Sequence, residues 1–304
     1  MRLTRIAPPP LLSVSNLTKT FSSTDWLGRE RYQVKAVDDV SFDIRPGETL
    51  GLVGESGSGK STTGRLILRL ETPSGGRVLF KGKDLAMAGH AEMKAVRRNM
   101  QVVFQNPYGS LNPRMTAGDL VAEPFRIHGM PAAEYRDRVV ELFLLVGLDP
   151  VYRSRYPHAF SGGQRQRLCI ARALALRPEF IVADEPITAL DLSIQAQIVN
   201  LFQELQEQFH LAYLFITHDL GMVRFLSHRV AVMLKGRIVE IGSVDQIFRD
   251  PRHPYTQALL SAMPVPNPAL ERSRKRLRFD VDSYRPNEAR LTPVEDGHLV
   301  ELST

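Results

Sequence analysis

Apolar positions along this chain fall into two kinds of run. Short unbroken runs, "TLGLVG" (49–54), "MQVVFQ" (100–105), "FIVAD" (180–184) and "YLFIT" (213–217), predict buried strands. Between them the apolar residues recur at helical spacing. "EYRDRVVELFLLVGL" places Val139, Val140, Phe143, Leu144 and Leu148 on such a repeat, and a helix is predicted from about Ser61 to Leu70, stopping near "TPSGG". Continuous apolar strands separated by helices predict a parallel sheet covered on both faces, so the fold class is α/β. "LLSVSNLTKTF", "VKAVDDVSFDI" and "RVLFKGKDL" predict further strands, and "RPGE" (45–48) a turn. "VAVMLKGRIVEIG" predicts a closing hairpin that turns at Lys235 and Gly236, while "NPYGSLNPRM" predicts a loop. Residues 1–10 form a loose lead. From about Pro251 the chain is Pro-rich and charged, and is expected to be an appendage to the core.

Composition narrows the picture. A chain of 304 residues, 43% apolar and 24% charged, is ample for a sizeable core of about two domains. No apolar run approaches the ~20 residues that span a bilayer. The first residues have neither an apolar stretch nor a cleavage site of the secretory kind, so the chain is expected to stay in the cytoplasm. The single cysteine, Cys169, excludes an internal disulfide and is expected to be a small buried hydrophobe. A net charge of +6 points toward nucleic acid or an anionic membrane face. The densest basic run, "RSRKRLRF" (272–279), reads as a solvated tail or a membrane-proximal patch. It lacks interleaved aromatics, so no nucleic-acid partner is expected.

The chemistry is concentrated at strand ends. Gly54-x-x-x-x-Gly59-Lys60-Ser61 follows a buried strand and opens a helix, as a phosphate-binding loop does. Its backbone N–H groups and the helix N-terminus suit a β-phosphate, Lys60 suits the β- and γ-phosphates, and the Ser61 hydroxyl suits Mg²⁺. Asp184 ends the strand 180–184, where a carboxylate can hold the Mg²⁺ shell, and Glu185 follows as the candidate to orient or deprotonate an attacking water. His218 and Gln105 stand at the ends of two other strands, the first as a γ-phosphate contact, the second as a bridge to Mg²⁺ or water. Ser161-x-x-Gln164 satisfies the capping-box pattern for a helix start, and Gly162 and Gly163 would let another molecule come close to the backbone.

"GESGSGKS", Gln105, "FSGGQRQR", "FIVADEP", "TALD" and "ITHD" occur in the order found in ABC transporter ATPase subunits, and the chain resembles that family over roughly residues 11–260. The resemblance implies a P-loop NTPase (RecA-like) core with an antiparallel β subdomain and a helical insert at about 106–178. The ATPase domain would cover 11–255 and a C-terminal extension 256–304. It further implies that Gly54, Glu55, Ser56, Gly57, Ser58, Gly59, Lys60, Ser61 and Thr62 bind ATP, with Ser61, Gln105 and Asp184 around Mg²⁺. Glu185, His218 and Gln105 would be catalytic, Ala189-Leu190-Asp191 a D-loop, and Ser161, Gly162, Gly163 and Gln164 the signature that covers ATP held by a second ATPase domain. An aromatic ahead of the loop stacks on adenine in this family. Phe21 and Tyr32 both qualify, with Tyr32 favoured.

"GLVGESGSGKSTTGRLILRLE", "VVFQNPYGSLNPRMT" and "DPRHPYTQALLSAMPVP" resemble the ATPase subunits of peptide importers, a group that also handles nickel and glutathione. Such a subunit works at the cytoplasmic face of the inner membrane. Its partners are a second ATPase (identical or paralogous), two permease subunits and an extracytoplasmic solute-binding protein. Three positions depart from the pattern. Phe160 replaces a usual Leu, "ITALD" carries Thr188 where Ser is more common, and the C-terminal segment lacks the cysteines that hold an iron–sulfur cluster in many relatives. Long coiled coils or zinc-bearing inserts, expected of a DNA-repair ATPase of this superfamily, are missing, and a P-loop kinase would not explain 161–164 or His218.

Overall fold

The structure is a computed structural model that describes residues 9–24, 30–188, 190–263, 276–285 and 289–303. It divides into two compact units. One is built from Met1–Met87 and Phe215–Thr304, the other from Ala88–Leu214.

The first unit begins with β1 (Leu12–Thr24) and β2 (Glu30–Ile44), an antiparallel pair in which Leu12, Val14 and Leu17 face Ile44, Phe42 and Val40. The register shifts between Val14 and Leu17. Asn16 in that shift and Asp39 in the next one, between Leu17 and Lys19, take left-handed backbone, and the Asn16 amide donates to the Asp39 carboxylate at 2.7 Å. Asn and Asp tolerate that conformation better than branched residues do. Then come β3 (Thr49–Val53), α1 (Lys60–Ile67), β4 (Gly75–Phe80), which pairs with β1, and the short β5 (Lys83–Asp84).

The second unit contains α2 (His90–Asn99), β6 (Met100–Val103), α3 (Pro107–Ser110), α4 (Ala117–Ile127), α5 (Ala132–Leu145), α6 (Gly162–Leu174), β7 (Phe180–Asp184) and α7 (Leu192–Phe209). β6 and β7 pair in parallel, from Met100 beside Phe180 to Val103 beside Ala183. The core of α4, α5 and α6 gathers Leu120, Val121, Leu142, Phe143, Leu168 and Ile170, all essentially inaccessible to solvent. The phenyl ring of Phe125 stacks on Tyr135 with centroids 5.0 Å apart.

β8 (Ala212–Thr217) carries the chain back to the first unit, which continues with α8 (Leu220–Leu226), β9 (Arg229–Leu234), β10 (Arg237–Ser243), α9 (Val244–Arg249), α10 (Pro254–Ala262), β11 (Ala289–Glu295) and β12 (His298–Ser303). Within this unit the second sheet has the order β11-β12-β10-β9-β3. β3 and β9 are parallel, and the β9–β10 hairpin turns at Lys235 and Gly236 as the pattern predicts.

Beyond Pro251 the appendage expected from composition contains ordered structure. β12 pairs with β10 (Glu240 beside Val300, Ile241 beside Leu299) and β11 with β12. The Arg237 guanidinium reaches Glu301 at 2.9 Å and Asp38 at 3.3 Å, and the Tyr284 hydroxyl donates to Glu301. Arg237, Glu301 and Asp38 are all largely covered, so this is a desolvated group whose members depend on one another. Losing one would cost far more than losing a surface pair. Of the basic run, 272–275 lie outside the described residues; Arg276 and Arg278 are exposed, while Phe279 turns inward against Tyr255.

Candidate functional site

The phosphate loop leaves β3, whose five residues are all buried, at Gly54. A side chain is sterically excluded at two loop positions. A Cβ on Gly54 (φ 151°) would stand 2.2 Å from the Met233 carbonyl oxygen, and one on Gly59 (φ 104°) 2.2 Å from that of Ala36. The loop therefore lies flush against the end of β9 and against β2. Ser58 N–H donates to Glu55 O at 3.2 Å, and Gly236 N–H donates to Ser58 O at 2.9 Å. Gly59 precedes α1 and offers no side-chain cap, and α1 has no acidic residue in its first turn. The positive end of the helix dipole thus faces an anion without an acidic side chain of its own first turn to oppose it.

Lys60 is only 4% exposed, an unusual state for a lysine, and its ammonium is held inside the loop. It donates to Gly54 O at 2.8 Å, Glu55 O at 2.7 Å and Ser58 Oγ at 3.3 Å. A buried cation satisfied by carbonyl dipoles, beside an uncapped helix start, suits the phosphates of a nucleotide. Glu55, Ser56 and Gly57 are exposed, and Ser61 and Thr62 are half-buried at the start of α1.

In the same unit Tyr32 is 62% exposed on β2, and Phe21 is exposed on β1 with the Lys19 ammonium 4.8 Å from its ring centroid. Phe21 pairs with Val34 and Ser23 with Tyr32, so strand alternation puts both rings on one face as diagonal neighbours. Asp25–Arg29, which obscured the choice between them in the sequence, lie outside the described residues. His218 is exposed immediately after β8, and Asp219 behind it caps α8 by accepting from Gly221 N–H at 2.8 Å.

The second unit carries the carboxylates. Asp184 ends β7 and is buried. Glu185 adopts left-handed backbone (φ 46°), which is costly for a non-glycine residue and is concentrated at functional sites. One of its carboxylate oxygens accepts from Gln105 Nε2 at 3.1 Å and from Thr188 Oγ1 at 3.1 Å. Sequence reasoning placed Gln105 at a strand end. Instead β6 stops at Val103, because Pro107 cannot donate to a ladder and Asn106 caps α3 by accepting from Tyr108 N–H at 2.9 Å. Gln105 is thus an exposed loop residue, free to reach Glu185. Thr188 was noticed only as a departure from the usual Ser. The signal was present, since both residue types supply the hydroxyl that this carboxylate uses. Ala189 of the D-loop lies outside the described residues.

Ser161 caps α6 with a full capping box. Its hydroxyl accepts from Gln164 N–H at 3.3 Å, and its own N–H donates to Gln164 Oε1 at 3.0 Å. The two glycines differ. Gly163 is buried, and a Cβ there would meet Ile194 Cγ2 at 2.6 Å, so its bareness serves helix packing. Gly162 has room for a side chain, with only Leu190 Cδ2 at 3.5 Å. The segment after Gln105 is fastened to α6. Arg165 lies 4.2 Å over the Tyr108 ring, Arg172 donates to Ser110 O at 2.7 Å, and Cys169 Sγ sits 3.3 Å from Ser110 Oγ.

Cys169 is buried, and that burial pushes its thiol up from the ordinary cysteine value. Iodoacetamide at neutral pH is therefore expected to spare it in the folded chain and to label it fully in denaturant. Labelling of the native chain at the rate of a free thiol would contradict this placement.

The ABC transporter family model matches residues 37–188, and that for the oligopeptide/dipeptide transporter C-terminal region matches 239–285. The oligopeptide transport ATP-binding protein OppF of Bacillus subtilis (strain 168) is 50% identical over 296 residues, 95% of each chain. The glutathione import ATP-binding protein GsiA of Escherichia coli (strain K12) is 52% identical over 273 residues, 89% of this chain but 44% of that longer protein, so the chain spans less than half of GsiA. A solved structure described as a dimeric post-hydrolysis state of the ATP-binding cassette MJ0796 bound to ADP and Pi is 30% identical, with a TM-score of 0.68 over 77% of this chain and 98% of that one.

The chain belongs to the ABC transporter family, with the α/β P-loop NTPase fold of its ATP-binding cassettes, and it is an ATPase subunit that acts with a second cassette and membrane permease components. Within that class its C-terminal part has the oligopeptide/dipeptide form. None of the helices among the described residues is long and apolar enough to cross a membrane.

Proposed function

We propose that this chain energises a peptide importer. The observation that carries this reading is the joint match: a cassette and an oligopeptide/dipeptide C-terminal region in one chain, half identical to an oligopeptide transport subunit over nearly its whole length. In this reading the chain docks on two permease subunits at the cytoplasmic face of the cell membrane, and an extracytoplasmic binding protein selects the cargo. Purifying the complex with its native cargo and identifying that cargo by mass spectrometry tests this. A bound metal complex or free glutathione instead of peptides would overturn the peptide assignment.

Residue roles follow the chemistry of each seat. The loop of Gly54, Glu55, Ser56, Gly57, Ser58 and Gly59 wraps the phosphates, and Lys60 turns from its carbonyls to the β- and γ-phosphate oxygens. Thr62 adds a hydroxyl, and Tyr32, with Phe21 beside it, offers a ring to adenine. Ser61, Asp184 and Gln105 supply the oxygen donors that a hard divalent cation takes. A Mg²⁺ held by these residues would supply positive charge against the charge that develops on the phosphate. Glu185 aligns the attacking water and takes its proton, and His218 donates to the γ-phosphate. Gln105 and Thr188, which both donate to one Glu185 oxygen, hold the carboxylate in a fixed orientation for this task.

Ser161, Gly162, Gly163 and Gln164 serve ATP held by the second cassette. A head-to-tail pair has two composite sites, and peptide importers of this type commonly pair two different ATPases. Gly162→Asp fits sterically, so it tests the idea without unfolding α6, and its carboxylate would repel phosphate. Combined with a loop-lysine mutation in the partner ATPase, it damages one composite site twice and spares the other. The same two lesions in one chain damage both sites. The first arrangement is expected to retain substantially more ATPase activity. The reverse order, with more activity when both lesions share one chain, or loss of ATP binding by the lone Gly162→Asp chain, would show the signature acting within its own chain.

A further inference from the structure

The C-terminal part of the chain makes a direct contact with the phosphate loop. Tyr255 lies near the start of α10, is 1% exposed, and its hydroxyl accepts a hydrogen bond from the Glu55 N–H at 3.2 Å. Its ring packs edge-on against Phe279 at 5.5 Å, in a cluster with Val53 and Val232. The start of α10 is itself held. The buried Glu240 carboxylate on β10 accepts from the N–H groups of Arg252 at 2.8 Å and His253 at 3.0 Å, and His298 of β12 lies 2.8 Å from it. His253 Nδ1 in turn accepts from Tyr255 N–H at 3.1 Å.

What Tyr255 touches decides its role. The Glu55 N–H shares one planar peptide unit with the Gly54 carbonyl, and in a trans peptide these two groups point in opposite directions. Lys60 grips the carbonyl at 2.8 Å while Tyr255 holds the N–H, so the first peptide of the loop is clamped from both sides. When the ammonium turns to a phosphate it releases that carbonyl. Tyr255 then becomes the remaining side-chain restraint on the plane of the peptide.

We infer that Tyr255 is a positioning residue for the phosphate loop, through which the oligopeptide-type C-terminal region sets the orientation of the Gly54–Glu55 peptide and so the affinity for ATP. This rests on residues 54–61 being the ATP phosphate loop. Burial pushes the Tyr255 hydroxyl up to about 12, so it remains a neutral partner across the physiological pH range.

The test uses the full chain and MgATP, with three variants. Tyr255→Phe keeps the packed ring and deletes only the hydroxyl. Tyr213→Phe deletes an equally buried hydroxyl that has no hydrogen-bond partner among the described residues. Lys60→Ala reports on the loop itself. Expected results are a roughly three- to tenfold weaker ATP affinity for Tyr255→Phe and an unchanged one for Tyr213→Phe. Hydrogen exchange should quicken at the Glu55 amide in Tyr255→Phe, while the Thr63 amide, bonded to Gly59 O within α1, keeps its protection. A merely structural role would speed both amides together and leave the affinity of the folded fraction unchanged. Wild-type affinity in Tyr255→Phe beside a large loss in Lys60→Ala overturns the inference alone. Wild-type affinity in both overturns the loop assignment and the inference with it.

Discussion

Lys60→Ala is expected to bind MgATP far more weakly and to lose hydrolysis by roughly 10²–10³-fold or more, the scale seen when one preorganised charge-stabilising donor is removed. The effect has two parts. The variant lacks the cation that meets the β- and γ-phosphates, and its empty loop loses the ammonium that ties Gly54 O, Glu55 O and Ser58 Oγ together. Leaving these acceptors without their donor should make the empty variant less stable by about 1–3 kcal/mol for a buried acceptor. Nucleotide titration, phosphate release and thermal unfolding without nucleotide separate the parts. The wild type should melt later with ATP present, and the variant should show little such shift. Hydrolysis within tenfold of wild type would remove Lys60 from the phosphate site.

Glu185→Gln separates binding from chemistry. The amide keeps the shape of the side chain and one oxygen, which can still accept from Gln105 and Thr188. The left-handed backbone at this position is no harder for Gln than for Glu. ATP affinity is therefore expected to stay within about threefold of wild type, while turnover falls by roughly 10²–10⁴-fold, the contribution of a positioned general base. The complex should accumulate with ATP bound, and equilibrium binding and single-turnover hydrolysis measured on one preparation check this. Wild-type turnover would transfer the role from Glu185 to another group. A Thr188→Val control that slows turnover far less would show that the hydroxyl only aligns the carboxylate.

Some of this was legible in the sequence and some was not. β3, β7 and β8 could be read as strands because their residues are buried throughout, which leaves unbroken apolar runs. The loop before α1 could be read because its sterics demand glycine at fixed places. α4 was hidden by Pro124 within it, since proline normally argues against a helix interior. The β11–β12 hairpin was missed although Asp296-Gly297 is a recognised turn dipeptide. Proline normally argues against a strand, and Pro293 is tolerated because β11 is the outermost strand of its sheet. The Tyr255–Glu55 bond joins residues 200 positions apart and leaves no local trace. Gly163 carried a pattern that suggested an approaching molecule, and only the position of Ile194 shows that the nearest occupant is its own chain.

The first unit is assembled from two stretches of chain with the whole of 88–214 between them. A ribosome therefore delivers β1 to β5 and the phosphate loop long before β9, the parallel neighbour of β3, exists. Until residues 229–234 emerge, β3 has one edge without that partner, and the loop lacks the Gly236 N–H that braces Ser58. The nascent chain passes through a stage in which the second unit can close on itself while the first cannot. Slow pairing of distant strands is the entropic consequence. Chaperone dependence during synthesis should then track the time between translation of residue 87 and residue 234, and synonymous changes that slow translation within 88–214 should prolong it.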